Sequence, residues 1–103
     1  MTTAPPADVV QWIQQNFAEE ERDAALSRVA TLLEGFHPLD PRMLRCLCIL
    51  SKGSLEKFDR AVKEMNTDWR DVILLAEYVD RDGHWVQIRD LRRPLNDPLN
   101  DNA

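Results

Sequence analysis

Residues 40–70 read DPRMLRCLCILSKGSLEKFDRAVKEMNTDWR and contain the start and stop signals of three consecutive helices. Asp40-Pro41 opens an apolar run, Gly53-Ser54 closes it and opens a second, and Asn66-Thr67-Asp68 closes the second and opens a third. Asp and Ser cap free helical N–H groups, Pro suits the first helical position, and Gly tolerates the left-handed turn at a helix end. These signals predict helices that begin at Pro41, Leu55 and Trp69.

Two further helices are predicted before this stretch. An apolar stripe at helical spacing predicts a first helix from residue 6 or 7 to about residue 15. Asn16 and Glu19 have the spacing of a capping box, which predicts the start of a second helix. Its apolar residues continue to about Glu34, and Gly35 is a natural stop signal.

The fifth apolar run fits both a helix and a strand. Apolar residues from Trp69 to Ala76 follow helical spacing, but residues 72–79 are also strand-like and could pair with residues 84–88 across a turn that contains Gly83. We favour the helix. The predicted fold class is therefore all-α, a compact bundle of four or five short helices with a C-terminal extended segment. The alternative is an α+β fold with a C-terminal β-hairpin at about 72–90.

Length and composition indicate one small globular domain. Of the 103 residues, 44% are hydrophobic, 30% are charged, and only three are glycine, which is low for an all-β protein with many tight turns. We predict a single helical domain over 1–93. Residues 94–103 are rich in Pro, Asn and Asp, which predicts a disordered tail.

The net charge of -5 is concentrated in the first part of the chain. Residues 1–40 contain seven acidic and two basic residues, whereas the remainder contains eleven of each. This imbalance disfavours a general nucleic-acid binder and suits a basic protein partner. The sequence shows neither a secretory signal nor an apolar stretch near 18 residues, which predicts a cytoplasmic protein without a membrane partner.

Reactive side chains are few and isolated in the sequence. Cys46 and Cys48 point roughly 200° apart on a helix, so they cannot form a disulfide with each other and are interpreted as core residues. His37 and His84 lack the closely spaced partners that a zinc site needs. The sequence therefore predicts no metal, no cofactor, no catalytic residue and no enzymatic activity.

The segment Trp85–Arg93, WVQIRDLRR, is the best candidate for a binding site. Tryptophan and arginine are enriched at binding hot spots. The residues predicted to bind a partner are Trp85, Arg89, Arg92 and Arg93. In the alternative interpretation, Trp85, Ile88 and Leu91 clamp this segment onto the helices, and the arginines offset the acidic front half of the chain.

The predicted function is a small cytosolic protein–protein interaction module, such as an adaptor, an inhibitor or an immunity-type neutraliser of a basic partner. An alternative is a nucleic-acid-linked regulator, because the fourth and fifth helices resemble a helix-turn-helix pair. The apolar residues 72–76 argue against it, since they offer no side chains that read base edges. A small hydrolase is a third possibility. The sequence identifies neither the partner protein nor the oligomeric state.

Overall fold

The computed structural model describes residues 4–34 and 39–100. In this part of the chain, five helices precede one two-stranded antiparallel sheet, so the predicted helical bundle is confirmed. Gly35 and His37 lie outside the described residues. The elements are α1 Ala7–Asn16, α2 Glu19–Leu33, α3 Pro41–Ser51, α4 Leu55–Thr67, α5 Trp69–Glu77, β1 Tyr78–Arg81 and β2 His84–Gln87.

The central helix of the bundle is α3. It contacts α1, α4 and α5, and all residues from Met43 to Cys48 are buried. This burial explains why the helix is apolar almost all round, since each of its faces meets another element. Arg45 is the one charged residue in the buried stretch, and it therefore needs partners inside the protein.

Three N-caps predicted from the sequence are confirmed. Each cap is a short polar side chain that accepts a hydrogen bond from a backbone N–H two or three residues further along. The acceptors are Asp40 for α3 (2.9 Å), Ser54 for α4 (3.3 Å) and Asp68 for α5 (3.1 Å). The starts of these three helices are thus determined by local interactions.

The predicted capping box at Asn16 is wrong. The helix α1 extends through Asn16, and the Asn16 side chain donates a hydrogen bond to the Trp12 carbonyl oxygen at 2.8 Å. The N-cap of α2 is Ala18, which has no side-chain cap. Asn16 therefore closes the first helix and does not open the second.

The ambiguous fifth run contains both predicted structures. The helix α5 ends at Glu77, and β1 follows directly and pairs with β2 in the register Val79↔Val86. Asp82 and Gly83 connect the strands with φ of 53° and 81°, as in a type I′ turn. The helical prediction is correct up to Glu77, and the hairpin of the alternative is correct from Tyr78 onward.

Residues 88–100 fold back onto the helices through a series of turns. Leu91 is fully buried and Leu95 is 6% exposed, so both belong to the core. The Asn100 side chain accepts a hydrogen bond from the Asp90 N–H at 2.8 Å and donates one to the Asp90 carbonyl oxygen at 2.9 Å. Residues 94–100 therefore differ from the predicted disordered tail, because Leu95 is buried and Asn100 pairs with the backbone of the turns.

The turn between α3 and α4 lies close to the backbone of α1. Lys52 and Gly53 have left-handed φ values of 51° and 79°. A Cβ atom on Gly53 would lie 2.3 Å from the Asn16 carbonyl oxygen. Glycine is needed here for the approach as well as for the backbone conformation.

We predict that Gly53→Ala destabilises the fold more than Gly83→Ala. The two φ values, 79° and 81°, are nearly equal, so each alanine costs about 1–2 kcal/mol for a left-handed conformation. A Cβ on Gly83 has nothing within 4 Å, whereas Gly53→Ala must displace backbone, for about 1–3 kcal/mol more. Urea denaturation of both variants measures the difference, and equal losses would contradict this packing.

We also predict that both cysteines react slowly in the folded protein. Cys46 and Cys48 are free and fully buried, and burial raises the pKa of both thiols to about 12. Because the thiolate is the reactive species, a maleimide should label them orders of magnitude more slowly than in urea. Mass spectrometry follows the labelling, and fast modification of either thiol under native conditions would show that α3 is not packed as described.

Candidate functional site

The four predicted partner-binding residues lie in three different environments. Trp85 lies on β2 and is 54% exposed. Arg92 and Arg93 are exposed; Arg92 forms an ion pair with Asp90 at 3.0 Å, and Arg93 forms ion pairs with Asp90 and Asp97, both at 3.8 Å. Arg89 is half-buried and lines a cleft. The segment therefore offers three separate features: an exposed aromatic side chain, two arginines in ion pairs, and an arginine that lines a cleft.

The clamp on the C-terminal segment is formed by Leu91 and Arg45. Leu91 is fully buried, and Arg45 Nη1 donates to the carbonyl oxygens of Leu91 at 3.2 Å and Arg92 at 3.4 Å. Trp85 is not a member of the hydrophobic core. The structure thus separates the residues that hold this segment from the tryptophan that it leaves exposed.

The hairpin β1–β2 stands outside the hydrophobic core. All four residues of β2 are exposed, and no residue from 78 to 87 is among the buried hydrophobic residues of the core or the partly buried ones that pack against it. Trp85 is 54% exposed and Val86 37%. The hairpin thus presents apolar surface to solvent.

Glu77 attaches the base of the hairpin to α3. Its carboxylate is fully buried and accepts two hydrogen bonds from Arg42, at 2.7 and 2.9 Å, and one from Gln87, at 3.3 Å. These bonds raise the pKa of the Arg42 guanidinium above its usual value, against the effect of burial. The Glu77 carbonyl oxygen accepts the Ile88 N–H at 2.7 Å. Glu77 is saturated with structural partners, so we assign it no chemical role.

A second buried ion pair joins α1, α3 and the C-terminal segment. The Asp8 carboxylate accepts hydrogen bonds from Arg45 at 2.8 and 3.2 Å and from the Leu95 N–H at 3.0 Å. Burial raises the pKa of Asp8, but the bonds from Arg45 and Leu95 outweigh it, so the pKa lies below its usual value. Asp8 is thus ionised and held in place.

A cleft of about 630 Å³ lies beside this ion pair. Its walls come from α1, the end of α3, α5 and the C-terminal segment. Among its described lining residues, Trp12 and Leu75 are apolar, Arg89 and Lys52 are cationic, and Asp8 is the sole carboxylate. Because Arg45 neutralises Asp8, the cleft combines apolar surface with net positive charge.

The described residues offer no metal-binding cluster. Within 4–34 and 39–100, no three or more His, Cys, Asp or Glu side chains are placed so that they could hold a metal ion. His84 is exposed on β2 and is not among the described residues that line the cleft. The described lining of the cleft contains neither histidine nor cysteine, so the cleft is a candidate for binding.

Comparisons with known proteins assign no family to this chain. No protein-family model matches it, and neither a curated protein nor a solved structure shows significant similarity.

Among the described helices, none combines the length and apolar character required to cross a bilayer. Function is therefore inferred from the surfaces of the chain itself.

The sequence identifies Trp85 and Arg89 as candidate binding residues, but it does not identify the cleft. Trp85 and Arg89 stand out by residue type in a polar segment. The cleft has no local signal, because Trp12, Leu75 and Arg89 come from separate elements that only the tertiary structure brings together. Leu75 lies in an apolar run but is 54% exposed, and periodicity alone does not reveal this exposure.

We predict that Asp8 contributes strongly to the stability of the fold at neutral pH and that this contribution is lost in acid. Its pKa is lower in the folded state, so its contribution is fully present above the unfolded pKa and disappears as the pH falls through the folded pKa. Asp8→Asn leaves Arg45 buried without a counter-charge and should cost about 3–5 kcal/mol at neutral pH. Because the variant has already lost this contribution, acid should destabilise it less than the wild type.

Asp59→Asn is the matched control for this measurement. Asp59 pairs with Arg28 at 3.0 Å, but both side chains are nearly half exposed, so its loss should cost at most about 1 kcal/mol. Urea denaturation from neutral to acidic pH compares the two variants. Equal losses of stability would contradict a buried role for Asp8.

Proposed function

We propose that this chain is a small protein–protein interaction module that binds its partner through the hairpin β1–β2. One observation carries the proposal: Trp85 is 54% exposed on a hairpin that contributes nothing to the hydrophobic core. Tryptophan is among the residues most enriched at binding hot spots, where truncation to alanine costs about 2 kcal/mol or more. A partner with an apolar pocket would bury Trp85.

The energetics of the hairpin support this proposal. A two-stranded hairpin is marginally stable in water unless it packs an apolar face against other structure. Here the strands are held at their base by the hydrogen bonds of Glu77, and none of their residues is a member of the hydrophobic core. An ordered but unpacked hairpin with an exposed tryptophan is explained by a binding role more readily than by a structural one.

The free edge of β2 gives a partner a second means of contact. The sheet contains only β1 and β2 within the described residues, so the other edge of each strand has no strand beside it. An extended segment of another protein can pair with such an edge through backbone hydrogen bonds. Each strand is only four residues long, which limits non-specific pairing between copies.

The charge distribution favours a basic partner. The net charge is -5, and the acidic excess lies within residues 1–40. Three of these acids, Glu19, Glu20 and Asp23, are exposed on α2. Such a surface would accelerate association with a basic protein, as expected of an adaptor, an inhibitor or an immunity-type neutraliser in the cytosol.

The geometry gives less support to the two other functions considered. The exposed residues of α5 include Arg70, which pairs with Asp68 at 3.4 Å, and the acidic Asp71, an unfavourable surface for reading DNA bases. A hydrolase needs an activated nucleophile or base, but both cysteines are buried and Asp8 is held by Arg45. Interaction with a protein remains the better proposal.

The test compares Trp85→Ala with Trp69→Ala. The two tryptophans are equally exposed, 54% and 55%, but Trp69 lies at the start of α5, away from the hairpin in the sequence. Both variants should keep the wild-type melting temperature, because exposed substitutions usually change stability by at most about 0.5 kcal/mol. Trp85→Ala alone should lose the protein that the wild-type chain captures stoichiometrically from its native host.

The measurements are thermal unfolding and affinity purification followed by mass spectrometry and a binding titration with the purified partner. Wild-type affinity in Trp85→Ala would contradict the proposal. A loss of stability near 3–5 kcal/mol in Trp85→Ala, as for truncation of a large core residue, would assign Trp85 to the clamp instead.

A further inference from the structure

The cleft beside α1 contains a cation that no carboxylate of the described residues neutralises. Arg89 lines this cleft and is half-buried. Among the described residues, the one hydrogen-bond partner of its guanidinium is the Ala76 carbonyl oxygen, 3.1 Å from Nη1, and Nε is buried without a partner. A guanidinium has five N–H donors, and only one of them donates to a described residue.

Two of the three other arginines with restricted exposure are paired with carboxylates, and the third, Arg22, donates to the Phe17 carbonyl oxygen at 3.1 Å. Arg42 and Arg45 each donate two hydrogen bonds to one carboxylate, that of Glu77 or Asp8, at 2.7–3.2 Å. Burial of a charged group is favourable only when its charge and its donors are satisfied. Arg89 has no such carboxylate in the described part of the chain, and a bound ligand can supply one.

The charge of the cleft favours an anion. Asp8 is its sole carboxylate among the described lining residues, and Arg45 binds both Asp8 oxygens. Lys52, at the end of α3, adds a second cation to the wall. The cleft is therefore positive in a chain whose net charge is -5.

The apolar part of the cleft limits the kind of anion. Leu75 lines the cleft and is 54% exposed. The Trp12 ring, which also lines the cleft, is positioned by an edge-to-face contact with Phe17, with ring centroids 6.1 Å apart. A volume of about 630 Å³ lies within the roughly 300–1,000 Å³ of small-molecule sites. A hydrated inorganic anion would leave Leu75 uncovered, whereas an apolar group on the anion would cover it.

We propose that this cleft binds a carboxylate that carries an apolar group. Arg89 binds the carboxylate through charge-assisted hydrogen bonds, and the apolar group packs on Trp12 and Leu75. Such a ligand is either a small free acid or the C-terminal end of a peptide. None of the described residues that line the cleft belongs to the hairpin, so this proposal can be tested independently of the proposed function.

Binding is tested by titration of the ¹⁵N-labelled protein, with NMR detection. The probes are 3-phenylpropanoate and N-acetyl-Gly-Phe with a free C-terminus, and the controls are the corresponding neutral amides. The indole N–H signal of Trp12 should shift saturably with at least one acid. Each amide should bind about tenfold or more weakly, because the charge-assisted bonds to Arg89 are lost.

The two acids distinguish the sources of the ligand. Tighter binding of the small acid identifies a free carboxylate, and tighter binding of the peptide identifies a peptide C-terminus. No shift of the Trp12 signal with either acid, or equal binding of acids and amides, would overturn the proposal.

Variants assign the carboxylate contact to Arg89. Arg89→Gln keeps a donor for Ala76 but removes the charge, and it should weaken acid binding about tenfold or more. Arg81→Gln changes an exposed arginine on the hairpin and should leave binding unchanged. Acid binding at wild-type affinity in folded Arg89→Gln would overturn the proposal.

A second pair of variants keeps the test decisive if Arg89→Gln does not fold. Leu75→Glu and Leu99→Glu alter leucines of similar exposure, 54% and 56%, but only Leu75 is among the described lining residues. Leu75→Glu should weaken acid binding about tenfold or more, since it places a carboxylate beside Arg89. Leu99→Glu should bind as the wild type does, and equal affinities for the two variants would overturn the proposal.

Discussion

The buried ion pair between Asp8 and Arg45 connects three distant parts of the domain. Arg45 lies on the most buried helix, and its guanidinium reaches the Asp8 carboxylate and the carbonyl oxygens of Leu91 and Arg92. Asp8 in turn accepts the Leu95 N–H. This arrangement satisfies a charge inside an apolar helix, and it fixes the C-terminal segment so that Leu91 fills the core.

A second arginine–carboxylate ion pair lies one helical turn away along α3. Arg42 and Arg45 are three residues apart on α3, and each holds one carboxylate through two hydrogen bonds. Arg42 binds Glu77, at the junction between α5 and the hairpin. Each candidate surface therefore lies beside a structural anchor: the hairpin next to Glu77, and the cleft next to Asp8. The fold positions both surfaces without using their exposed side chains.

The sequence predicts the features that local interactions determine, and it misses those that depend on distant partners. The caps Asp40, Ser54 and Asp68 act within a few residues, so their patterns are sufficient. Glu77, the last residue of α5, pairs with Arg42, far away in the chain, and no periodicity in residues 72–79 reveals this contact. The burial of Leu95 and Asn100 is likewise a tertiary effect that a Pro- and Asn-rich composition conceals. For the candidate sites, residue type alone singles out Trp85 and Arg89, whereas the cleft walls become neighbours only after folding.

The bond between the Leu95 N–H and Asp8 also has a consequence for biosynthesis. It joins residues 87 positions apart, so the first helix leaves the ribosome long before its last partner does. Local helices form before contacts that must close so long a loop. Until residues 91–95 emerge, Arg45 lacks its two carbonyl acceptors, and the apolar surface that Leu91 and Leu95 later cover is open to water. The nascent chain thus exposes apolar surface of the kind that makes folding intermediates prone to aggregation, and residues 91–95 cover it once they have been made.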